Sequence, residues 1–407
     1  MEQFARGRSK LQLLIYRQWR WLNSVWILAA IDLCLPKCKW NVVVGSLAGY
    51  TGNTRRLADM LASDSRITRL TIVLPKLGDV DTVRLTQLGQ SSKVELVVRG
   101  SKAAFRGLVR SGTVFLSHDV HRDVGFRIKH QSNRKIINCW HEIAIKRHWL
   151  LDDSRRALFR KRRRAARLFD LVIASSDADA VAKSGFFGRP LPYILITGTP
   201  RNDWFYIPTA QWPSDLEELD ARIEELLQGR RLCLYAPTWG RDLTQNPLIS
   251  EPSPEVMSLL ERHNAVLGYR LHLDDGDRLS TQYSFPYLDV CRAVIPEAQL
   301  LLNRAAVVIS DYSSIWIDFL LKQRPVIAYL YDQEFYDREK GIIWDYDAVF
   351  PGPVVKDLSA LCVALDRMLG EGLLPEEKTR YATATTFFHR HKDGKSGERV
   401  CEQIFGY

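Results

Sequence analysis

One stretch constrains this chain more than any other. An apolar run from Ala305 to Ile309 ends in a polar corner, Ser310-Asp311-Tyr312-Ser313-Ser314. A short amphipathic segment follows and stops before Pro325, and a second apolar run spans Val326 to Leu330. Strand, polar loop, helix and strand in that order read as one parallel β-α-β unit. Hydroxyl groups and free backbone N–H groups then meet at a helix N-terminus, where a phosphate binds well. The same residues also describe an ordinary helix cap, with Ser313 or Ser314 as the cap residue.

The pattern recurs along the chain. Val42 to Val44 opens a first strand, and strand-like runs follow near Leu70–Leu74, Val94–Val98, Val114–Leu116, Ile136–Cys139 and Leu171–Ala174. A second set runs through Leu232–Tyr235, Ala265–Leu271, Val307–Ile309, Val326–Leu330 and Val354–Val355. Helical patterns separate most of them, so the expected fold class is α/β with doubly wound parallel sheets. At 407 residues the chain exceeds one ordinary core and fits two domains. Pro208, Gln211, Trp212 and Pro213 break the pattern after Asp203 and mark the expected linker. The expected divisions are a segment over 1–35, an N-terminal domain over 36–206 and a C-terminal domain over 207–407. The tail from about 358 reads as helical and is expected to pack back toward the first domain. The loop after the first strand, Gly45-Ser46-Leu47-Ala48-Gly49, lacks Gly-x-Gly-x-x-Gly and does not support a nicotinamide site.

The formal net charge of +10 calls for an anionic partner: nucleic acid, a phosphate-rich substrate or a membrane surface. No helix-turn-helix, RNA-recognition or zinc-finger pattern is present, so no nucleic-acid partner is expected. Leu11, Leu14, Ile15, Trp19, Leu22 and Trp26 recur at helical spacing among Lys10, Arg17 and Arg20. That pattern suits an amphipathic helix lying in a membrane interface, and equally a helix docked on its own domain. Residues 155–167 carry Arg155, Arg156, Arg160, Lys161, Arg162, Arg163, Arg164 and Arg167 around Leu158 and Phe159. They read as a solvated face or as a patch for anionic lipid or a lipid-linked pyrophosphate. No apolar run is long enough to span a bilayer, and no cleavable signal peptide is expected. Seven dispersed cysteines suit a reducing compartment. His118, His121 and His130 invite a metal reading, but no ligand motif supports it, and no metal or cofactor is required.

Several short motifs, in order, resemble the CDP-glycerol glycerophosphotransferase family, the teichoic acid primases and polymerases. They are Gly49-Tyr50 with Asn53, Arg99-Gly100-Ser101-Lys102 with Leu108, Trp140-His141, and Gly198-Thr199-Pro200-Arg201-Asn202-Asp203. Tyr235-Ala236-Pro237-Thr238-Trp239 comes next, then Ser310 to Ser314 with Asp318-Phe319 and Arg324-Pro325-Val326. Asp393-Gly394-Lys395 with Glu398-Arg399 completes the set. The resemblance runs from about residue 36 to about 401. It implies a GT-B-like fold, two α/β domains facing a central cleft.

The resemblance also implies a reaction. A hydroxyl of a polyprenyl-linked saccharide or polymer attacks the β-phosphate of CDP-glycerol or another CDP-polyol, and CMP leaves. His141 falls on the family's first catalytic histidine. His272 falls where the family has a histidine between prolines, although both flanking residues here are leucines. Glu142 replaces the usual glycine, and a carboxylate there is expected to raise the imidazole pKa or to exclude one acceptor. Ser310, Asp311, Ser313 and Ser314 are the expected donor-binding loop, with Thr238 and Arg241 beside them and Asp311 read as orienting the loop. Arg201, Asn202 and Asp203 are read as donor contacts or as a hinge. The expected location is the cytoplasmic face of the membrane, peripherally bound to anionic lipid; a homo-oligomer is left open. The competing readings are a GT-B glycosyltransferase using a nucleotide sugar and a non-catalytic membrane-bound scaffold.

Overall fold

The computed structural model describes residues 28–76, 82–238, 246, 248, 253–271, 286–334, 336 and 341–406. Two all-parallel sheets form it. The first holds β1 (Cys38–Gly45), β2 (Arg69–Leu74), β3 (Val94–Val98), β4 (Ser111–Leu116), β5 (Lys135–Asn138), β6 (Leu171–Ala174) and β7 (Ile194–Ile196), in the order β3-β2-β1-β4-β5-β6-β7. The second holds β8 (Arg231–Ala236), β9 (Ala265–Tyr269), β10 (Tyr287–Asp289), β11 (Ala305–Ser310), β12 (Val326–Tyr329) and β13 (Val354–Val355), in the order β10-β9-β8-β11-β12-β13. The strand order reverses between β1 and β4 and again between β8 and β11. Open parallel sheets bind ligands beyond the strand carboxyl ends at such reversals.

The strand centres are apolar because helices cover both faces. Val43, Val73, Val114 and Ile136 enter one core, while Val42, Val44, Ile72, Phe115 and Ile137 enter the core on the opposite face. In the second sheet Leu232, Leu234 and Val308 face one way, and Cys233, Tyr235, Val307 and Ile309 the other. Successive side chains on a strand alternate sides, so each run of three or four apolar residues feeds two cores.

Two edge strands, β7 and β10, fall outside the sequence expectation. Each has three residues, too few to show a period. The expected strand over Ala265–Leu271 ends at Tyr269; just beyond it the Arg270 side chain donates to the carbonyls of Val290 (3.0 Å) and Ile295 (2.8 Å). The expected linker is a packed joint: Trp204 and Trp212 are buried edge to face, and Trp212 Nε1 donates to the Ile207 carbonyl.

The C-terminal helices pack on both sheets. Helix Pro375–Phe388 buries Tyr381, Ala384 and Phe388 in a second-sheet core. Helix Ser396–Phe405 places Val400, Cys401, Ile404 and Phe405 in a core of the first sheet, with Phe405 stacked on Trp40. Of the expected amphipathic segment, residues 1–27 lie outside the described residues. Residues 28–34 are helical, and buried Asp32 accepts from Arg134 Nη1 at 3.0 Å. No helix among the described residues is long and apolar enough to cross a membrane.

Candidate functional site

The loops after β4 and β5 build one side of the site. Trp140 has φ 46°, a conformation that bulky residues rarely adopt and that costs roughly 1–3 kcal/mol. Three bonds hold it there. Asn53 Nδ2 donates to the carbonyls of Cys139 (3.1 Å) and Trp140 (2.8 Å), and Asn138 Oδ1 accepts from the Trp140 N–H at 2.7 Å. The Trp140 ring packs edge-on against Trp149 and Phe187. This turn swings His141 out of the core into an exposed position beyond the strand end.

The surroundings of His141 set its charge. Crowding by protein lowers its pKa well below the usual imidazole value, and the neighbouring His118 lowers it further. Glu142 acts in the opposite direction, while His148 and Lys146 add to the lowering. The neutral imidazole, the form able to accept a proton, prevails near neutral pH. Glu142 does raise the His141 pKa, as expected, but burial and the neighbouring His118, His148 and Lys146 outweigh it. Glu142 is buried and turned to Lys146 Nζ (3.3 Å) and His148 Nε2 (3.0 Å). Burial pushes its own pKa up, but Lys146 and His148 more than reverse this and hold it as the carboxylate.

The loops after β8 and β11 build the other side. Asp311 is fully buried and accepts from the Thr238 N–H (2.8 Å), the Thr238 hydroxyl (2.6 Å) and the Ser313 N–H (3.1 Å). Tyr346 donates to the Asp311 carbonyl at 2.7 Å. Ser310 is also fully buried and donates to the Ala236 carbonyl. Asp311 thus orients the loop, and Ser310, expected among the donor-binding residues, spends its hydroxyl on a protein carbonyl. Ser313 is half-buried, and Ser314 sits at the start of helix Ile315–Phe319 without a side-chain cap bond. Arg241 and His272 lie outside the described residues.

Arg201, Asn202 and Asp203 join the two sides. The Arg201 guanidinium meets Asp318 of helix Ile315–Phe319 through Nε (2.8 Å) and Nη2 (3.1 Å), and its Nη1 donates to the His141 carbonyl at 2.9 Å. The Arg201 N–H donates to Asn53 Oδ1 at 3.1 Å. Asn202 Nδ2 reaches Asp318 Oδ1 at 2.8 Å. Asp203 accepts from the N–H groups of Ser396 and Gly397, both at 2.9 Å, and so caps the C-terminal helix. A further crossing comes from Glu297, whose Oε2 accepts from the Gly52 N–H at 3.0 Å and caps helix Gly52–Ser63. One guanidinium therefore connects the His141 loop to the helix that begins at Ser314. Among the described residues no group of three or more His, Cys, Asp or Glu is placed to hold a metal ion.

The profile of the family described as CDP-Glycerol:Poly(glycerophosphate) glycerophosphotransferase matches residues 27–406. The chain belongs to this family. It is 25% identical over 245 residues to the teichoic acid ribitol-phosphate polymerase TarL of Staphylococcus aureus, covering 59% of this chain and 42% of that one. It is 29% identical over 230 residues to a teichoic acid glycerol-phosphate transferase of the same organism, covering 52% and 54%. The chain thus spans about half the length of the curated relatives it matches. Its fold is similar to a solved structure of the wall teichoic acid polymerase TagF, with TM-score 0.72, 18% identity and 98% of each chain covered.

Sequence reasoning about the family motifs left three residues without a role. Asp318 stood in a motif, but its partner Arg201 is 117 positions away. Glu297 carried no local signal, because its target is the end of a helix in the other half of the chain. His118 had one: it follows β4 directly, as His141 follows β5, and its ring stacks on His141 with centroids 4.5 Å apart.

Proposed function

We propose that the protein transfers glycerol phosphate, or a related polyol phosphate, from a CDP-polyol to a hydroxyl of a lipid-linked saccharide or polymer, releasing CMP. The single observation that carries this reading is the placement of His141 beyond β5, its pKa lowered, tied through Arg201 and Asp318 to the helix that Ser314 precedes. Family membership and the names of the relatives, which cover glycerol- and ribitol-phosphate transfer, support the donor class.

In the proposed step the acceptor hydroxyl gives its proton to His141 as its oxygen attacks the β-phosphorus. The bond from that phosphorus to the bridging oxygen breaks, CMP departs with the electron pair, and a phosphodiester remains. Such transfer depends on positioning and on neutralising phosphate oxygens. Ser313, Ser314 and the backbone N–H groups that open the helix serve as donors to the diphosphate. Arg241 and His272 complete the assignment, His272 as the second catalytic histidine. The two sheets then form the halves of a GT-B arrangement, divided near residue 206, with the cleft between their strand carboxyl ends.

The same reading places the protein on the cytoplasmic face of the membrane. Arg156, Arg160, Lys161, Arg163, Arg164 and Arg167 are exposed, and Leu158 (39%) and Phe159 (42%) are exposed among them. Cations for lipid phosphates around two apolar side chains suit an anionic bilayer surface. The deciding experiment offers CDP-glycerol, CDP-ribitol and nucleotide sugars over a polyprenyl-linked acceptor. CMP release with a CDP-polyol supports the proposal. Release of a nucleoside diphosphate from a nucleotide sugar would make it a glycosyltransferase, and no turnover of any donor would favour a scaffold.

A further inference from the structure

His118 occupies the reversal point of the first sheet and is held from three loops at once. Its backbone N–H donates to Asp123 Oδ2 at 2.6 Å. Its Nδ1 lies 2.8 Å from the Ser117 hydroxyl and 3.3 Å from Asp123 Oδ1. Asp123 is fully buried, and its Oδ1 also accepts from the Leu47 N–H at 2.8 Å, so the carboxylate is anchored to the loop after β1. Ser117 Oγ reaches Ser46 Oγ at 3.0 Å, and Asn138 Nδ2 donates to the His118 carbonyl at 2.7 Å. Nδ1 is thus turned to the Ser117 hydroxyl and the Asp123 carboxylate, which fixes the direction of the ring.

The ring fixed in this way lies flat on His141, with centroids 4.5 Å apart and planes 21° apart. Two stacked imidazoles direct their in-plane lone pairs side by side, so the pair does not converge on a shared metal. The Trp140 ring also packs on His141, tilted by 42° with centroids 4.3 Å apart, so His118 and Trp140 border the imidazole together.

We propose that His118 is a positioning residue for His141: clamped by Asp123 and Ser117, it fixes the plane of the His141 ring and opposes its protonation. The proposal rests on the reading of His141 as the base. The groups facing His141 are His118 from the β4 loop, Glu142, Lys146 and His148 from its own segment, and Arg201, which donates to its carbonyl. Of these, His118 is the one that stacks on the His141 ring through bonds to other loops. A proton added to His141 sits beside the stacked His118 ring, whose charge lowers the His141 pKa and favours the neutral base.

The test uses the full chain with 13C-labelled histidine. Nine histidines are present, and the His141 signal is assigned by its loss in His141→Gln. His118→Phe keeps a stacked ring without charge; His118→Gln removes both ring and charge. In both variants the His141 titration midpoint is expected to rise, by roughly one unit. With a CDP-polyol donor, His118→Gln is expected to lower kcat about tenfold with donor KM unchanged, and His118→Phe to restore most of that loss at high pH. Midpoints within about 0.2 unit of wild type in both variants would overturn the proposal. So would a kcat that falls equally in both at every pH, the mark of a merely structural role. If His118→Gln fails to fold, His118→Phe and Ser117→Ala decide the question by the same midpoint. The titration needs no turnover. A wild type that turns over no CDP-polyol therefore refutes the functional reading while the role of His118 is still decided.

Discussion

Asp318→Ala tests the joint that unites the two halves of the site. Asp318 is 3% exposed and Arg201 6%, so the pair is shielded from water. The carboxylate accepts two bonds from Arg201 and one from Asn202. Removing it strands a buried guanidinium, and breaking a buried ion pair in this way costs about 3–5 kcal/mol. Arg201 also holds the His141 carbonyl, so the transfer rate is expected to fall with stability. Urea denaturation followed by fluorescence gives the loss from the midpoint and slope of the first transition. Asp318→Asn, which retains one acceptor oxygen, is expected to lose less. The double variant Arg201→Met with Asp318→Leu removes both charges and is expected to regain at least half of the single-variant loss. An Asp318→Ala protein within about 1 kcal/mol of wild type would refute the reasoning, since a buried charge cannot lose its counter-ion so cheaply.

His141→Ala is expected to lower transfer by ~10²–10⁴-fold with donor affinity nearly unchanged, measured as CMP release and by calorimetry. Ser313→Ala with Ser314→Ala is expected to weaken CDP-polyol binding by roughly 1–3 kcal/mol in all; an unchanged affinity places the diphosphate elsewhere. Because the His141 pKa is lowered from 6.5, its base form persists as pH falls, so the rate at about pH 6 should stay above half its plateau, where an ordinary histidine would already have lost half. Replacing Arg160, Lys161, Arg163 and Arg164 by Gln should reduce co-sedimentation with anionic vesicles, and salt should reduce the wild type likewise. Binding that is indifferent to both would remove this helix from the membrane contact.

Much of the fold was legible because period and punctuation are local. Val42 to Val44, Leu232 to Tyr235 and Val307 to Ile309 are short apolar runs bounded by polar corners, and each became a buried parallel strand. The polar residues just after such runs, His141 and Ser310 to Ser314, could be marked as strand-end positions by that rule alone. The three-residue strands β7 and β10 could not, because three residues carry no period.

Sequence alone determined the class of elements, their parallel winding and which residues stand at strand ends. Tertiary structure decided which of those ends are neighbours. It set His118 against His141, turned Glu142 toward Lys146 and His148, buried Ser310 and Asp311 in the loop, and made Arg201 a link to Asp318. The reason is physical. Strand and helix periods follow from bonds within a few residues, whereas the charge and direction of a side chain depend on groups brought near only when two sheets, 117 positions apart at Arg201 and Asp318, pack together.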